Sequence, residues 1–173
     1  MPAKELYANR FSVHVSETIA GTRAFAEVPT YAAAFSKEAF IIHRLEYAFT
    51  DASLDSLVAN DDMLMAGLCT SNKVYGLNPV DSFPEPGVLD VVKITGNLRG
   101  AAANLFLNQI PITRDFTNLP GGGFIVPSRP LFVAVQGGGL GAAITVDVRG
   151  WFTRVELKDA EFLELLDAYR LVV

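Results

Sequence analysis

Apolar and polar side chains alternate with a period of two along most of this chain, the spacing of residues that share one face of a β-strand. The pattern is clearest from Pro130 to Arg154, PLFVAVQGGGLGAAITVDVRGWFTR. Leu131, Val133 and Val135 alternate with Phe132, Ala134 and Gln136. After a run of glycines, Ile144, Val146 and Val148 alternate with Thr145, Asp147 and Arg149. The first arm is apolar on both faces, as suits a strand covered on both sides, whereas the second has one polar face. The two read as long strands joined by a glycine-rich turn, and the rest of the chain is expected to fold around them.

Arg10 to Ala20 reads as a first strand, with Phe11, Val13 and Val15 on one face and Ser12, His14 and Ser16 on the other. Gly21 and Thr22 turn the chain into a second alternating run, Thr22 to Val28, so a hairpin is expected, ended by Pro29. Thr30 to Ala39 leaves a loop and a helical turn both open. Phe40 to Thr50 alternates strongly, with Ile41, His43, Leu45, Tyr47 and Phe49 on one face and Arg44, Glu46 and Thr50 on the other. Asp51 to Asn60 predicts a short helix capped by Asp51 or Ser53. Met63 to Thr70 and Val88 to Thr95 predict strands, separated by a surface loop, Ser71 to Gly87, that holds three prolines and two glycines. Ala101 to Leu107 suggests a short helix, while Ile112 to Phe116 and Phe124 to Val126 read as short strands around Gly121-Gly122-Gly123. A final helix is capped by Asp159, with Phe162, Leu165, Leu166 and Tyr169 at i, i+3, i+4 and i+7. About eight strands with Gly and Pro between them and helices as accessories make an all-β sandwich or barrel, not a βαβ fold.

Composition sharpens this picture. A chain of 173 residues without a linker or internal repeat is expected to form one domain, residues 1–173, with a core of its own. A net charge of −5 with no basic cluster argues against a nucleic-acid surface. Half the residues are hydrophobic and only 19% charged, below the roughly 25% of an ordinary soluble domain, so something besides water is expected to cover part of the surface. The middle is barest: the 47 residues from Gly100 to Val146 carry three charges, Arg114, Asp115 and Arg129. The first ten residues hold no signal-peptide core, and the longest charge-free run, Pro130 to Val146, is glycine-broken and short of a spanning helix. The single cysteine, Cys69, excludes an internal disulfide and fits a reducing compartment.

Candidate chemistry is sparse. Gly137-Gly138-Gly139-Leu140-Gly141-Ala142 contains G-x-G-x-x-A after a strand, but a dinucleotide site needs a helix next and a strand follows; a hairpin turn using positive φ is the better reading. His14 and His43, with Glu46 or Glu17, could be drawn as a metal site, yet they lack the paired histidines of a cupin and read as structural, His43 sharing the inner face with Ile41 and Leu45. Cys69 reads as a small core residue. Asn60-Asp61-Asp62 reads as the turn before Met63 and not as a Ca²⁺ loop. The carboxylates are scattered, and Trp151 suits core or interface better than a sugar platform. The expectation is therefore no catalytic, cofactor-binding or metal residues, and no cofactor.

The segments Ile41-Ile42-His43-Arg44-Leu45-Glu46-Tyr47, Ile125-Val126-Pro127 followed by Arg129 to Gly137, and Val146-Asp147-Val148-Arg149 leading to the closing helix Phe162-Leu163-Glu164-Leu165-Leu166 carry a resemblance. In this order they resemble the single jelly-roll capsid proteins of icosahedral viruses, including the small coat protein of tailless phages that enclose a membrane. That resemblance implies an eight-stranded antiparallel jelly roll with a short C-terminal helix and no catalysis. It also implies a structural virion subunit, made in the host cytoplasm, that associates with copies of itself, with a second capsid protein and with an internal membrane as further contacts. The apolar end, Leu171 to Val173, would pack on a neighbour. A lectin-like sandwich and a cupin-like metal enzyme are the competing classes.

Overall fold

In a computed structural model the chain is described over residues 4–30, 37–59, 61–73, 77, 87–96 and 111–170, with the backbone alone at 4–8, 162 and 166–170. The strands are β1 (Lys4–Ser16), β2 (Ala24–Glu27), β3 (Glu38–Phe49), β4 (Met63–Cys69), β5 (Val88–Thr95), β6 (Ile112–Asp115), β7 (Phe124–Pro127), β8 (Phe132–Gly138) and β9 (Thr145–Glu156), with helices α1 (Asp51–Asp55) and α2 (Asp159–Arg170). One sheet has the order β1-β9-β3-β6, with β7 also on β3; the other has the order β2-β8-β4-β5. Every pairing is antiparallel. Two four-position sheets in these strand orders, with β4 and β5 the consecutive strands paired within one sheet, form the double Greek key of a jelly roll. Nine strand segments occur among the described residues against the eight expected, because β6 and β7 lie end to end along one edge of β3.

The core lies between the sheets and follows the alternation. Phe11, Val13 and Val15 of β1, Leu45, Tyr47 and Phe49 of β3, and Val146 and Val148 of β9 face Leu64, Ala66 and Leu68 of β4 and Val133 and Val135 of β8. Each such large side chain contributes roughly 1.5–3 kcal/mol by leaving water. Phe152 joins Phe40 edge to face at 5.2 Å and lies 6.1 Å from Phe11. Gly150, opposite Phe11 in the ladder, makes room for that ring: a Cβ there would sit 2.2 Å from Phe11 Cζ.

Both expected hairpins are corrected. β1 pairs with β9 and β2 with β8, so Gly21-Thr22 carries the chain from one sheet to the other. β8 and β9 likewise lie in different sheets, and the glycine run bridges them. Alternation identifies a strand but not its partner, and a sheet-to-sheet step needs a longer connection than a hairpin. Among these glycines only Gly139 has positive φ, at 74°.

Three sheet-to-sheet connections meet at one end of the sandwich. The buried Glu17 carboxylate accepts from Gly137 N at 2.7 Å and Ile144 N at 3.1 Å, clamping the glycine run. Ser53 Oγ accepts from Thr145 N at 2.8 Å, tying α1 to the start of β9. The N-cap of α1 is Thr50, not Asp51 or Ser53, since its hydroxyl faces the Ser53 N–H. Buried Asp62 accepts from Val58 N and Ala59 N at 2.7 and 2.6 Å, which makes Asp61-Asp62 the turn into β4. Asp159 is the first helical residue of α2; Glu161 reaches back to Lys158 N at 3.1 Å, so Lys158 holds the cap position. The expected helix over 101–107, the open segment 31–36, most of the 71–87 loop and the tail 171–173 lie outside the described residues. Among the described residues no helix is long and apolar enough to cross a membrane.

Candidate functional site

The outer faces of the two sheets differ in kind. On the β2-β8-β4-β5 sheet, Met65, Cys69, Ala134 and Leu77 are buried in a second apolar cluster, joined by half-buried Phe25, Met63, Val91 and Phe132. Leu77 lies over Gly67, where an added Cβ would come within 3.3 Å of it. Here the sequence reading holds: Ala134 and Phe132 give β8 its second apolar face, and Cys69 is a small packed residue.

On the β1-β9-β3 sheet the outer face begins apolar and turns polar. At one end Leu165 of α2 packs with Ala39, Ile41, Val155 and Leu157. Next comes His43, which donates from Nδ1 to the Gly122 carbonyl oxygen at 2.7 Å and in the neutral ring accepts at Nε2 from the Thr153 hydroxyl at 2.7 Å. The ladder slips by one residue between Ile42 and Arg44, a bulge that reverses the faces. Phe40 and Ile42 therefore point inward before it and Leu45 and Tyr47 after it. The expectation that His43 shares the inner face with Ile41 and Leu45 is thus corrected: His43 pins residues 116–123, which leave the sheet at the bulge between β6 and β7.

Beyond the bulge the face carries cross-strand rows. Arg10, Trp151, Arg44 and Asp115 form the first, and Ser12, Arg149, Glu46 and Thr113 the second. The Arg44 guanidinium lies over the half-buried Trp151 ring at 5.3 Å and contacts Glu46, so Trp151 is an outer-face residue and not core. Ser12, Glu46, Ala48, Pro111, Asp147 and Arg149 line a depression of about 380 Å³.

The third row holds a constellation that the sequence did not reveal. His14 Nδ1 donates to Asp147 Oδ1 at 2.9 Å, while Ser16 Oγ lies 3.4 Å from His14 Nε2 and 2.8 Å from Thr145 Oγ1. The order Ser, His, Asp is that of a hydrolytic triad, but the surroundings are not. The side chains of His14 and Asp147 are 65% and 51% exposed, so the pair lies open to water, without the water-excluded setting in which such a triad works. Its only forecast is alternation: His14, Ser16 and Asp147 each fall on a polar face, but their register is not local information. Among the described residues His14 and His43 share no partner, and Glu17 and Glu46 are engaged elsewhere. No group of three or more His, Cys, Asp or Glu able to hold a metal occurs among the described residues.

A buried polar contact joins the sheets. Asp90 of β5, its side chain 4% exposed, accepts from Tyr47 Oη at 3.1 Å and from Arg114 Nε at 3.1 Å. Burial, and then the Asp90 carboxylate, hold the Tyr47 phenol well above its ordinary value of 10.0.

No protein-family model and no curated protein matches the chain. Solved structures similar to it include VP1 of Trichodysplasia spinulosa-associated polyomavirus in complex with 3'-sialyllactose, at 10% identity and a TM-score of 0.48, covering 91% of this chain and 100% of that one. The unassembled KI polyomavirus VP1 pentamer is similar at 12% identity and a TM-score of 0.44, covering 91% and 99%. Both are capsid proteins. At such identities and TM-scores these likenesses carry no weight for function, and the jelly-roll assignment rests on the strand order of the chain itself.

Proposed function

We propose that the chain is a single jelly-roll domain, residues 1–173, that serves as a structural subunit of an icosahedral virion shell. It would be of the kind found in tailless phages that enclose a membrane, and it would be made in the host cytoplasm. Copies of itself are its first partners; a second coat protein and an inner membrane are the further contacts that the phage likeness implies. The observation that carries this reading is the strand order, β1-β9-β3-β6 against β2-β8-β4-β5, an architecture used by viral coats. That architecture also serves lectins and cupins, so strand order needs a second support. It lies in composition: with 19% charged residues the chain is poorly equipped to remain a freely solvated monomer. The buried carboxylates among the described residues, Glu17, Asp62 and Asp90, are engaged in holding connections and sheets together. Electron microscopy of the purified protein and of particles from its native source tests this. Shells or regular arrays containing the chain are expected; a monodisperse monomer that turns over a substrate would end the proposal.

A further inference from the structure

The outer face of the β1-β9-β3 sheet is stepped. Helix α2 covers one end through Leu165, and past Thr153 the face lies open. On the open part Arg10 and Arg149 are exposed and take part in none of the ion pairs among the described residues, whereas Arg44 is already engaged with Glu46 and Trp151. Opposite Trp151 and Ser12 respectively, they are diagonal neighbours on one face, within reach of a single anionic group. A guanidinium fork outside those ion pairs can donate two parallel hydrogen bonds to a carboxylate.

The raised end of the step carries the complement. α2 exposes Glu164 beside Leu163, which is 60% exposed although it is a large aliphatic side chain. Val155, beneath the helix, and Arg149 are six residues apart on β9, roughly 20 Å at 3.4 Å per residue. One molecule cannot bring its own helix onto its own arginines, but a second copy can. We propose that two copies pair through this face about a twofold axis, the α2 of each lying on the open part of the other, with Glu164 against Arg149 and Arg10 and Leu163 toward Trp151. In such an arrangement both steps are filled and both sets of charges are met at once.

The inference rests on the self-association reading above and is tested separately from it. Sedimentation velocity at physiological salt is run on the full chain, on Arg10→Glu with Arg149→Glu, on Glu164→Lys, and on the combination. Each reversal alone is expected to weaken the dimer roughly tenfold and the combination to recover most of that loss. Because all three positions are exposed, thermal melting of the variants should match the parent and so exclude misfolding. Association that is intact in every variant overturns the pairing but leaves self-assembly standing. A parent chain that is monomeric throughout overturns both. If the arginine variant instead loses binding to a poly-dT oligonucleotide or to phosphatidylserine vesicles with self-association unchanged, the face belongs to another anion and the pairing is wrong.

Discussion

The two outer faces of this sandwich start from the same kind of alternating strand and end in opposite chemistry. On β4 and β8 the outward positions Met65, Cys69 and Ala134 are as apolar as the inward ones, and they are buried. On β1 and β9 the outward positions Ser12, His14, Asp147 and Arg149 are polar and exposed. A strand carries information about both of its surroundings, and a face that is apolar on the outside has something lying on it. The polar face tolerates water and is free for specific, charge-directed contacts, so stability and recognition are divided between the two sides of one fold.

The largest effects are expected where the apolar face is broken. Met65→Asp would place an unpaired carboxylate at a site 3% exposed and should cost about 3–5 kcal/mol in chemical denaturation, whereas Ser12→Asp on the other face should stay within about 0.5 kcal/mol. Equal costs would erase the distinction drawn above. Where the connections between the sheets meet, Glu17→Ala leaves the Gly137 and Ile144 N–H groups without their carboxylate; a loss of about 3 kcal/mol is expected in the same assay.

The contact that joins the sheets gives a smaller and pH-dependent effect. Tyr47→Phe should cost about 1–2 kcal/mol at neutral pH by removing the hydrogen bond to Asp90. Because the folded phenol is held neutral beyond 10.0, the unfolded chain loses its proton first as pH rises. The Tyr47 contribution is therefore whole below that value and declines above it, so the parent should lose stability through that range more steeply than Tyr47→Phe. Parallel curves from thermal melts across pH 9 to about 11 would contradict this. Smallest of all, His14→Ala should change stability by less than about 0.5 kcal/mol, since its contact with Asp147 is open to solvent.

Much of the architecture was legible because alternation is local: β5 was expected and found over Val88 to Thr95, and β4, β6 and β7 to within a residue or two. Pairing was not legible, because partners are chosen by packing between sheets and not by the turn that follows a strand. The phase reversal in β3 was hidden for a simpler reason. Phe40, Ile41 and Ile42 are all apolar, so either phase satisfies the pattern, and only the bulge at His43 decides which faces inward. Ile41 could be apolar on an outward face because α2 and its neighbours shelter it there. The polar rows of the candidate face were visible as polar positions, but their convergence, Arg10 beside Trp151 and His14 beside Asp147, depends on register across strands more than a hundred residues apart in sequence.

Self-association of this chain is the central claim. Sedimentation equilibrium of the purified full chain from low micromolar to millimolar concentration measures that directly. A mass that rises with concentration through a defined small oligomer toward assembled material is expected. A mass that stays at 18.7 kDa over the whole range would contradict it.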